Sequence, residues 1–334
     1  MTELPPGYLL RRPRDEDAQA LVDLMVAIDV EEQGAPDTEI EDLKADWAQP
    51  RFDKGRDALT ITAPDRSFAG YGWVWDRVPH VDLQADLHVH PKQRGIGLEQ
   101  VLLDRIEERG REHLPDAPAG ETVTVAVFAM AGTPLAEILE RRDYERTRTF
   151  YRMTIDLAGG YPEPGVPAGI EIRPFRPGVD DREVHATIED TFAHHFRFHA
   201  ESHEDWVTRR MGHPSFDPSL WLVAWDGDTM VGAILPYQFG DLSWVRELGV
   251  RDAYRGRGIG KALLVASFRM FEERGSKRVS LGVDAGNTTG ATALYEKSGM
   301  KVEQRHELFQ RPVSPAVEKE SGSRLAAKQL ERKE

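Results

Sequence analysis

Residues 242–264 read LSWVRELGVRDAYRGRGIGKALL, and this stretch carries the strongest structural signal in the chain. It opens on apolar residues in alternation, Trp244 followed by Leu248 and Val250, a pattern typical of a strand. Residues 255–260 follow, with three glycines and two arginines. The next apolar residues recur at helical spacing: Ala262, Leu263, Leu264, Phe268 and Phe271. The glycines therefore lie at a predicted strand-to-helix junction.

The junction has the composition of a phosphate-binding loop. Glycine lets the main chain turn sharply and approach a ligand, so that successive N–H groups point at one place. The following helix adds unpaired N–H groups and the positive end of its dipole, and arginine adds forked hydrogen bonds. A Walker loop does not fit, because Gly260-Lys261 is followed by Ala262. A dinucleotide fingerprint needs G-x-G-x-x-G, whereas this loop reads G-x-G-x-G. A tight turn with solvated arginines is the structural alternative.

The loop resembles the acetyl-CoA loop of the GNAT acyltransferase superfamily, written R/Q-x-x-G-x-G/A. Arg255, Gly258 and Gly260 occupy its fixed positions. The resemblance covers nearly the whole chain and is strongest over residues 242–300. It implies an N-acetyltransferase with acetyl-CoA as acyl donor. The acetyl group would pass directly, in a ternary complex, to a primary amine of a small molecule or peptide.

The predicted elements occur twice, in the order β-α-α-β-β-β-α-β-α-β. Placing Val250 over Val89 aligns the two loops without a gap, so that Gly258 falls on Gly97. The predicted fold class is therefore α/β: two tandem GNAT folds, each a mixed, mostly antiparallel sheet flanked by helices.

The domain boundaries follow from this repeat and from composition. We expect an N-terminal GNAT-like domain over residues 1–158 and a catalytic C-terminal domain over 169–312. A Gly- and Pro-rich linker, 159–168, joins them. A polar tail, 313–334, has few apolar residues and mixed charge.

The two halves differ at the positions that the resemblance makes functional. In the first half the counterparts are apolar or acidic: Glu99 for Gly260, Ala131 for Asn287, and Leu139 for Tyr295. A carboxylate at the last glycine position of the loop would repel a pyrophosphate. We therefore expect the first half to bind acetyl-CoA poorly or not at all, and to shape the cleft of the second half. A weakened cofactor site is the alternative, since Arg94, Gly95 and Gly97 are present.

The resemblance also implies which residues hold the cofactor. The pantetheine would pair like an extra strand with the main chain of Leu248 and Val250. Asn287, at a strand-to-helix turn, would cap the helix or hydrogen-bond the pantetheine or a water. Arg255 is expected to reach a phosphate. The pyrophosphate would lie on the backbone N–H groups of Gly256, Arg257, Gly258, Ile259 and Gly260.

Two residues are predicted to be catalytic. Tyr295 would protonate the departing thiolate, because phenols and thiols have neighbouring pKa values; an aromatic packing role is the alternative. Glu247 would accept the proton of the amine through a water, and a charged strand-end residue is the alternative. Strand alternation places Glu247 on the face of Gly249. Asp284 is the reserve candidate for the base.

Composition excludes several classes of function. The net charge of −14 and a pI near 5.3 argue against a nucleic-acid surface or a polybasic membrane contact. The absence of cysteine excludes disulfides, thiolate metal sites and a cysteine acyl-enzyme. There is no apolar run typical of a signal peptide or membrane span, so we expect a cytoplasmic protein, monomeric or homodimeric.

A cluster of histidines raises the question of a metal site. His195, His199 and His203 recur every four residues, but no acidic or thiolate partner follows at a characteristic spacing. We expect no metal, and a role in acceptor contact or simple surface placement.

The acceptor stays open at this point. The chain is distantly similar to mycothiol synthase, also a two-GNAT protein, so an aminoglycoside-like or cysteinyl-sugar acceptor is a candidate. A non-catalytic acyl-CoA-binding sensor or scaffold is the alternative function, against which Tyr295 and Asn287 argue.

Overall fold

The computed structural model describes residues 2–157, 159–239 and 242–313. The elements of the first half are β1 (Leu9–Arg11), α1 (Ala18–Gln33), α2 (Ile40–Trp47), α3 (Lys54–Asp57), β2 (Ala58–Thr62), β3 (Phe68–Trp75), β4 (Asp82–Val89), α4 (Leu98–Glu112), β5 (Thr124–Met130), α5 (Pro134–Arg141) and β6 (Glu145–Asp156).

The second half repeats this order without the short helix α3. Its elements are β7 (Ile170–Pro174), α6 (Asp181–Phe192), α7 (His203–Arg210), β8 (Leu222–Asp226), β9 (Thr229–Phe239), β10 (Leu242–Val250), α8 (Ile259–Glu273), β11 (Arg278–Asp284), α9 (Ala291–Lys297) and β12 (Lys301–Pro312). The predicted linker, 159–168, contains neither helix nor strand. Of the predicted tail, residues 314–334 lie outside the described residues.

The described strands form one sheet in the order β1-β2-β3-β4-β5-β12-β6-β11-β10-β9-β8-β7. Only two neighbouring pairs are parallel, β4 with β5 and β10 with β11. The predicted fold class, mixed and mostly antiparallel sheets flanked by helices, is confirmed. Within the described ranges, none of the helices combines the length and apolar character needed to span a bilayer.

The last strands of the two halves are exchanged. Strand β6 pairs with β11 of the second half, and β12 pairs with β5 of the first. Met153 on β6 lies in the hydrophobic core of the second half, and Phe309 on β12 lies in that of the first. Each core thus takes one strand from beyond the boundary predicted between 158 and 169. The repeat did not predict this exchange, because a strand pattern indicates the buried face and not the neighbouring strand.

Helix α8 positions the glycine loop. Leu264, Phe268 and Phe271 recur along one face of the helix and are fully buried against the sheet. Burial of each such side chain stabilises the fold by about 1.5–3 kcal/mol. The first turn of α8 is therefore held firmly at the end of β10.

The strand exchange predicts where a core substitution acts. We expect Phe309→Ala to lower the free energy of unfolding by about 3–5 kcal/mol, and Met153→Ala by about 2–5 kcal/mol, because both side chains are fully buried. Chemical denaturation measures both. Val302→Ala, at a position on β12 that is 47% exposed, is the matched control and should change stability by less than about 0.5 kcal/mol. A Phe309→Ala effect as small as that of the control would contradict the exchange.

Candidate active site

Strands β10 and β11 separate where the sequence predicts the cofactor. Their pairing ends at Val245, while β10 stays paired with β9 as far as Val250. The N–H of Arg251 donates to the carbonyl of Val231 on β9 at 2.9 Å. Strand alternation therefore turns the main-chain groups of Leu248 and Val250 towards the gap. An extended ligand can pair with this free edge.

The loop after β10 presents unoccupied hydrogen-bond donors. Gly256 and Gly258 have φ values of 74° and 90°, a left-handed conformation that favours glycine. Helix α8 begins directly after Gly258, its N-cap. No backbone N–H of residues 256–258 donates to another described residue, and the first N–H groups of a helix have no partner within it. The free donors and the positive end of the helix dipole thus lie together.

The gap and the loop form one cleft of about 750 Å³. Nine of the eleven predicted site residues line it: Leu248, Val250, Arg255, Gly256, Gly258, Ile259, Gly260, Asn287 and Tyr295. Arg257 and Glu247 do not. The guanidinium of Arg257 lies 3.7 Å from the carboxylate of Asp226 and 5.2 Å from the ring centre of Tyr254. That of Arg255 contacts Asp252 at 2.8 Å.

Helix α9 places Tyr295 in the wall of the cleft. The side chain is 7% exposed, and its hydroxyl makes no hydrogen bond with another described residue. Burial raises the pKa of Tyr295 to about 12. The phenol is therefore protonated at neutral pH and has a proton to donate.

Asn287 lies beside Tyr295 in the lining but does not cap the helix. Its Oδ1 accepts hydrogen bonds from the N–H and the hydroxyl of Thr289, at 2.7 and 2.5 Å. Helix α9 begins only at Ala291, with Gly290 as its N-cap. The capping alternative is therefore wrong, and the side chain closes the turn before the helix.

Glu247 is buried next to the cleft, with Arg210 of α7 as its partner. Its Oε1 accepts two hydrogen bonds from Arg210, one of them from Nε at 3.1 Å, while Oε2 is buried without a partner among the described residues. Burial acts to raise the pKa of Glu247, but the charge and hydrogen bonds of Arg210 lower it below its usual range. The carboxylate is therefore ionised at neutral pH.

The residues of the cleft lining that sequence reasoning missed include Arg246 and Phe150. Arg246 lines it at a register shift between Val245 and Glu247, a β-bulge that no local sequence pattern indicated. Phe150 comes from β6 of the first half and reaches the cleft through the strand exchange. Both depend on strand pairing rather than on local sequence.

The histidine cluster is dispersed. His195 lines the cleft, and burial together with the charge of Arg255 lowers its pKa, so that the imidazole is neutral at neutral pH. His199 lies 2.6 Å from Asp82 of the first half, and His203 begins α7. No group of three or more potential ligands in the described ranges is arranged to hold a metal ion.

The first half has the same loop backbone with a different side chain. Gly95 and Gly97 have φ values of 80° and 93°, and α4 begins after Gly97. Its pocket measures about 240 Å³ and is lined by Glu99, which is 5% exposed. Burial raises the pKa of this carboxyl. Arg94 is held by Glu32 at 2.5 Å. An acid thus occupies the second residue of the helix, where the second half has glycine.

This arrangement defines a class: two acyltransferase folds in tandem, with a cleft beside the glycine loop of the second. The acetyltransferase (GNAT) family model matches residues 184–300. Mycothiol acetyltransferase of Geodermatophilus obscurus is 34% identical over 255 residues, which cover 73% of this chain and 79% of that protein.

Two solved structures share the architecture. A GCN5-related N-acetyltransferase from Sphaerobacter thermophilus superposes with a TM-score of 0.81 at 34% identity, covering 94% of this chain and 98% of that one. A tandem GNAT protein from the clavulanic acid biosynthesis pathway gives 0.70 at 17% identity, covering 92% and 99%, which shows the fold alone. The chain belongs to the GNAT family and is an N-acetyltransferase. That family uses acyl-CoA as donor.

Exchanging the loop residues tests which half binds the donor. We expect Gly260→Glu to weaken CoA binding by about tenfold to a hundredfold, the range of a lost charge-assisted hydrogen bond, because the carboxylate would face the diphosphate. Calorimetric titration with CoA measures the affinity. Gly260→Ala is the matched control, since a Cβ there would meet Leu294 at 3.4 Å, an ordinary contact.

The reciprocal variant Glu99→Gly should leave CoA affinity at the second half unchanged. Equal affinities for Gly260→Glu and Gly260→Ala would show that the donor does not bind at this loop.

Proposed function

We propose that the second half, residues 169–312, transfers an acetyl group from acetyl-CoA to a primary amine of a small molecule. The observation that carries the proposal is the free, protonated hydroxyl of Tyr295 in the same cleft as the glycine loop. A cleft that only stored CoA would have no need of a proton donor there.

Donor binding relies on the main chain. The pantetheine pairs with the free edge of Leu248 and Val250, and the pyrophosphate accepts hydrogen bonds from the N–H groups of Gly256 to Gly260, with the side chain of Arg255 nearby. Asn287 lies in the wall beside the pantetheine. These contacts place the thioester between β10 and Tyr295.

Transfer then proceeds directly in a ternary complex. The deprotonated amine attacks the thioester carbonyl, the new C–N bond forms, and the C–S bond breaks as Tyr295 donates its proton to the sulfur. Catalysis rests on holding two reactants in contact and on backbone donors for the oxyanion.

Glu247 is the base in this scheme. Its Oε2 has no partner among the described residues, and the carboxylate is ionised, so that it can take the ammonium proton through a water. Its lowered pKa makes it a weak base, which suits a transient acceptor in a relay to solvent. Asp284 is the reserve candidate; it lines the cleft and accepts a hydrogen bond from the N–H of Gly286 at 2.8 Å.

The similarity to known relatives supports a broad class of acceptor. The similarity to mycothiol acetyltransferases supports a small-molecule amine, with an amino-acylated sugar among the candidates.

Tyr295→Phe tests the acid. We expect kcat to fall by about 10²–10⁴-fold, the usual contribution of a general acid, with unchanged affinity for acetyl-CoA. Release of CoA can be followed with a thiol reagent, because the protein contains no cysteine of its own. Tyr254→Phe, a second tyrosine in the cleft lining, is the control. Tight acetyl-CoA binding by the unmodified protein, with no turnover on any amine, would instead support the sensor.

Glu247→Gln tests the base through its pH dependence. At neutral pH we expect kcat/KM to fall, and the loss to shrink as the pH approaches the pKa of the amine, about 10 for an alkyl amine, since the amine then arrives deprotonated. Tyr295 stays protonated below its pKa of about 12 and does not limit this range. Asp284→Asn is the matched comparison. A loss for Glu247→Gln that is constant with pH would contradict the assignment.

A further inference from the structure

A third cavity, of about 120 Å³, is lined by residues of both halves. The first half contributes Trp73, Trp75 and Arg77 to its lining, and the second half contributes Arg209 and Arg246. Arg246 also lines the donor cleft. The two cavities therefore share Arg246, a residue of the strand that would hold the thioester.

Two of these arginines, Arg77 and Arg246, have no hydrogen-bonded or ion-paired acid among the described residues. The guanidinium of Arg77 lies 5.3 Å from the ring centre of Trp75, and that of Arg246 lies 5.9 Å from the ring centre of Tyr237. Neither guanidinium forms a hydrogen bond or an ion pair with a described residue. By contrast, the neighbouring Arg209 donates to Glu201 at 3.0 Å.

The remaining polar residues of the cavity include one acid, Asp46, which the charge of Arg246 also reaches. Asp46 is the acid in the lining, and burial raises its pKa to about 7, so that much of it is neutral at neutral pH. Gln49 also lines the cavity, and its Oε1 is buried with no partner among the described residues. Burial lowers the pKa of Arg77 to about 10, which still leaves it charged, and the exposed Arg246 is charged as well.

A half-buried guanidinium, that of Arg77, and an exposed one, that of Arg246, both without an anionic partner among the described residues, are suited to an anion. Their planar forks match the oxygens of a carboxylate or a phosphate. In a chain of net charge −14, acids are abundant, and many other arginines of the described ranges are paired with one. The arrangement at this cavity therefore favours a ligand that supplies the negative charge itself.

We propose that the acceptor carries an anionic group, a carboxylate or a phosphate, at the end remote from its amine, and that Arg77 and Arg246 bind this group in the cavity between the halves. The inference rests on the proposed function, since the amine of the same molecule must reach the thioester. It assigns acceptor specificity to a residue of the first half as well as to one of the second.

Matched acceptor pairs test the inference. We would compare kcat/KM for 6-aminohexanoate with that for 6-aminohexanamide, and for phosphoethanolamine with that for ethanolamine. We expect at least one anionic acceptor to exceed its neutral partner by about tenfold to a hundredfold, the range for a hydrogen-bonded charge. The pair with the larger ratio shows whether the site takes a carboxylate or a phosphate.

Substitution of the two arginines tests whether they cause the preference for an anionic acceptor. Arg77→Gln and Arg246→Gln should each lower kcat/KM for the favoured anionic acceptor about tenfold or more beyond any loss for its neutral partner, chiefly through KM. Arg56→Gln is the matched control, because Arg56 is a first-half arginine that is 63% exposed and paired with Glu112. Equal kcat/KM within both pairs, or equal losses for anionic and neutral acceptors in Arg77→Gln, would overturn the inference and leave the proposed function standing.

A binding measurement distinguishes a failure of the anion-site inference from a failure of the proposed function. We would titrate the CoA-saturated protein with glutarate, glutaramide and inorganic phosphate by calorimetry. Binding of glutarate or phosphate that is lost in Arg77→Gln supports the anion site even if no amine is acetylated, a result that would overturn only amine transfer. No binding of either anion, together with acetylation of neutral amines alone, would overturn the anion site.

Discussion

The antiparallel pairing of β6 with β12 at the centre of the sheet is the contact on which the rest of the structure depends. It runs from Lys301 opposite Thr154 to Gln310 opposite Glu145, and it joins two similar halves into one sheet. Because the buried side chains of paired strands fix the register between them, the halves are held in one relative position. The cleft beside the glycine loop is therefore completed by Phe150, and the neighbouring cavity by Arg77, both from the first half.

Within this common sheet, the loops of the two halves have the same backbone conformation but differ in the charge at the start of the following helix. In both, a parallel strand pair parts at equivalent positions, and two left-handed glycines precede a helix. The second residue of that helix distinguishes them, glycine at 260 and a buried glutamate at 99. A helix N-terminus attracts anions through its free N–H groups and its dipole. The carboxylate of Glu99 at that terminus can itself interact with the free N–H groups and the helix dipole. These groups then attract a diphosphate less strongly.

Local sequence was sufficient for the features that depend on local conformation. The order of the elements, the glycine loop and the position of Tyr295 follow from periodicity, from left-handed glycines and from the resemblance they carry, and nine of the eleven predicted residues line one cleft. What the sequence left out depends on contacts between distant segments. The partner of Glu247 is Arg210 on α7, the bulge at Arg246 arises from pairing with β9, and Phe150 arrives with an exchanged strand. Each of these three features joins segments far apart in the chain, so no pattern within one segment indicates it.

The strand exchange also determines when the sheet of the first half can be completed during synthesis of the chain. The ribosome releases β1 to β5 long before β12, so the edge of β5 that β12 will occupy stays open while the whole second half is translated. Open strand edges pair readily with other chains, and pairing between segments so far apart in the chain is slow to form. The sheet of the first half is therefore incomplete until β12, the last strand of the second half, has been translated and has paired with β5.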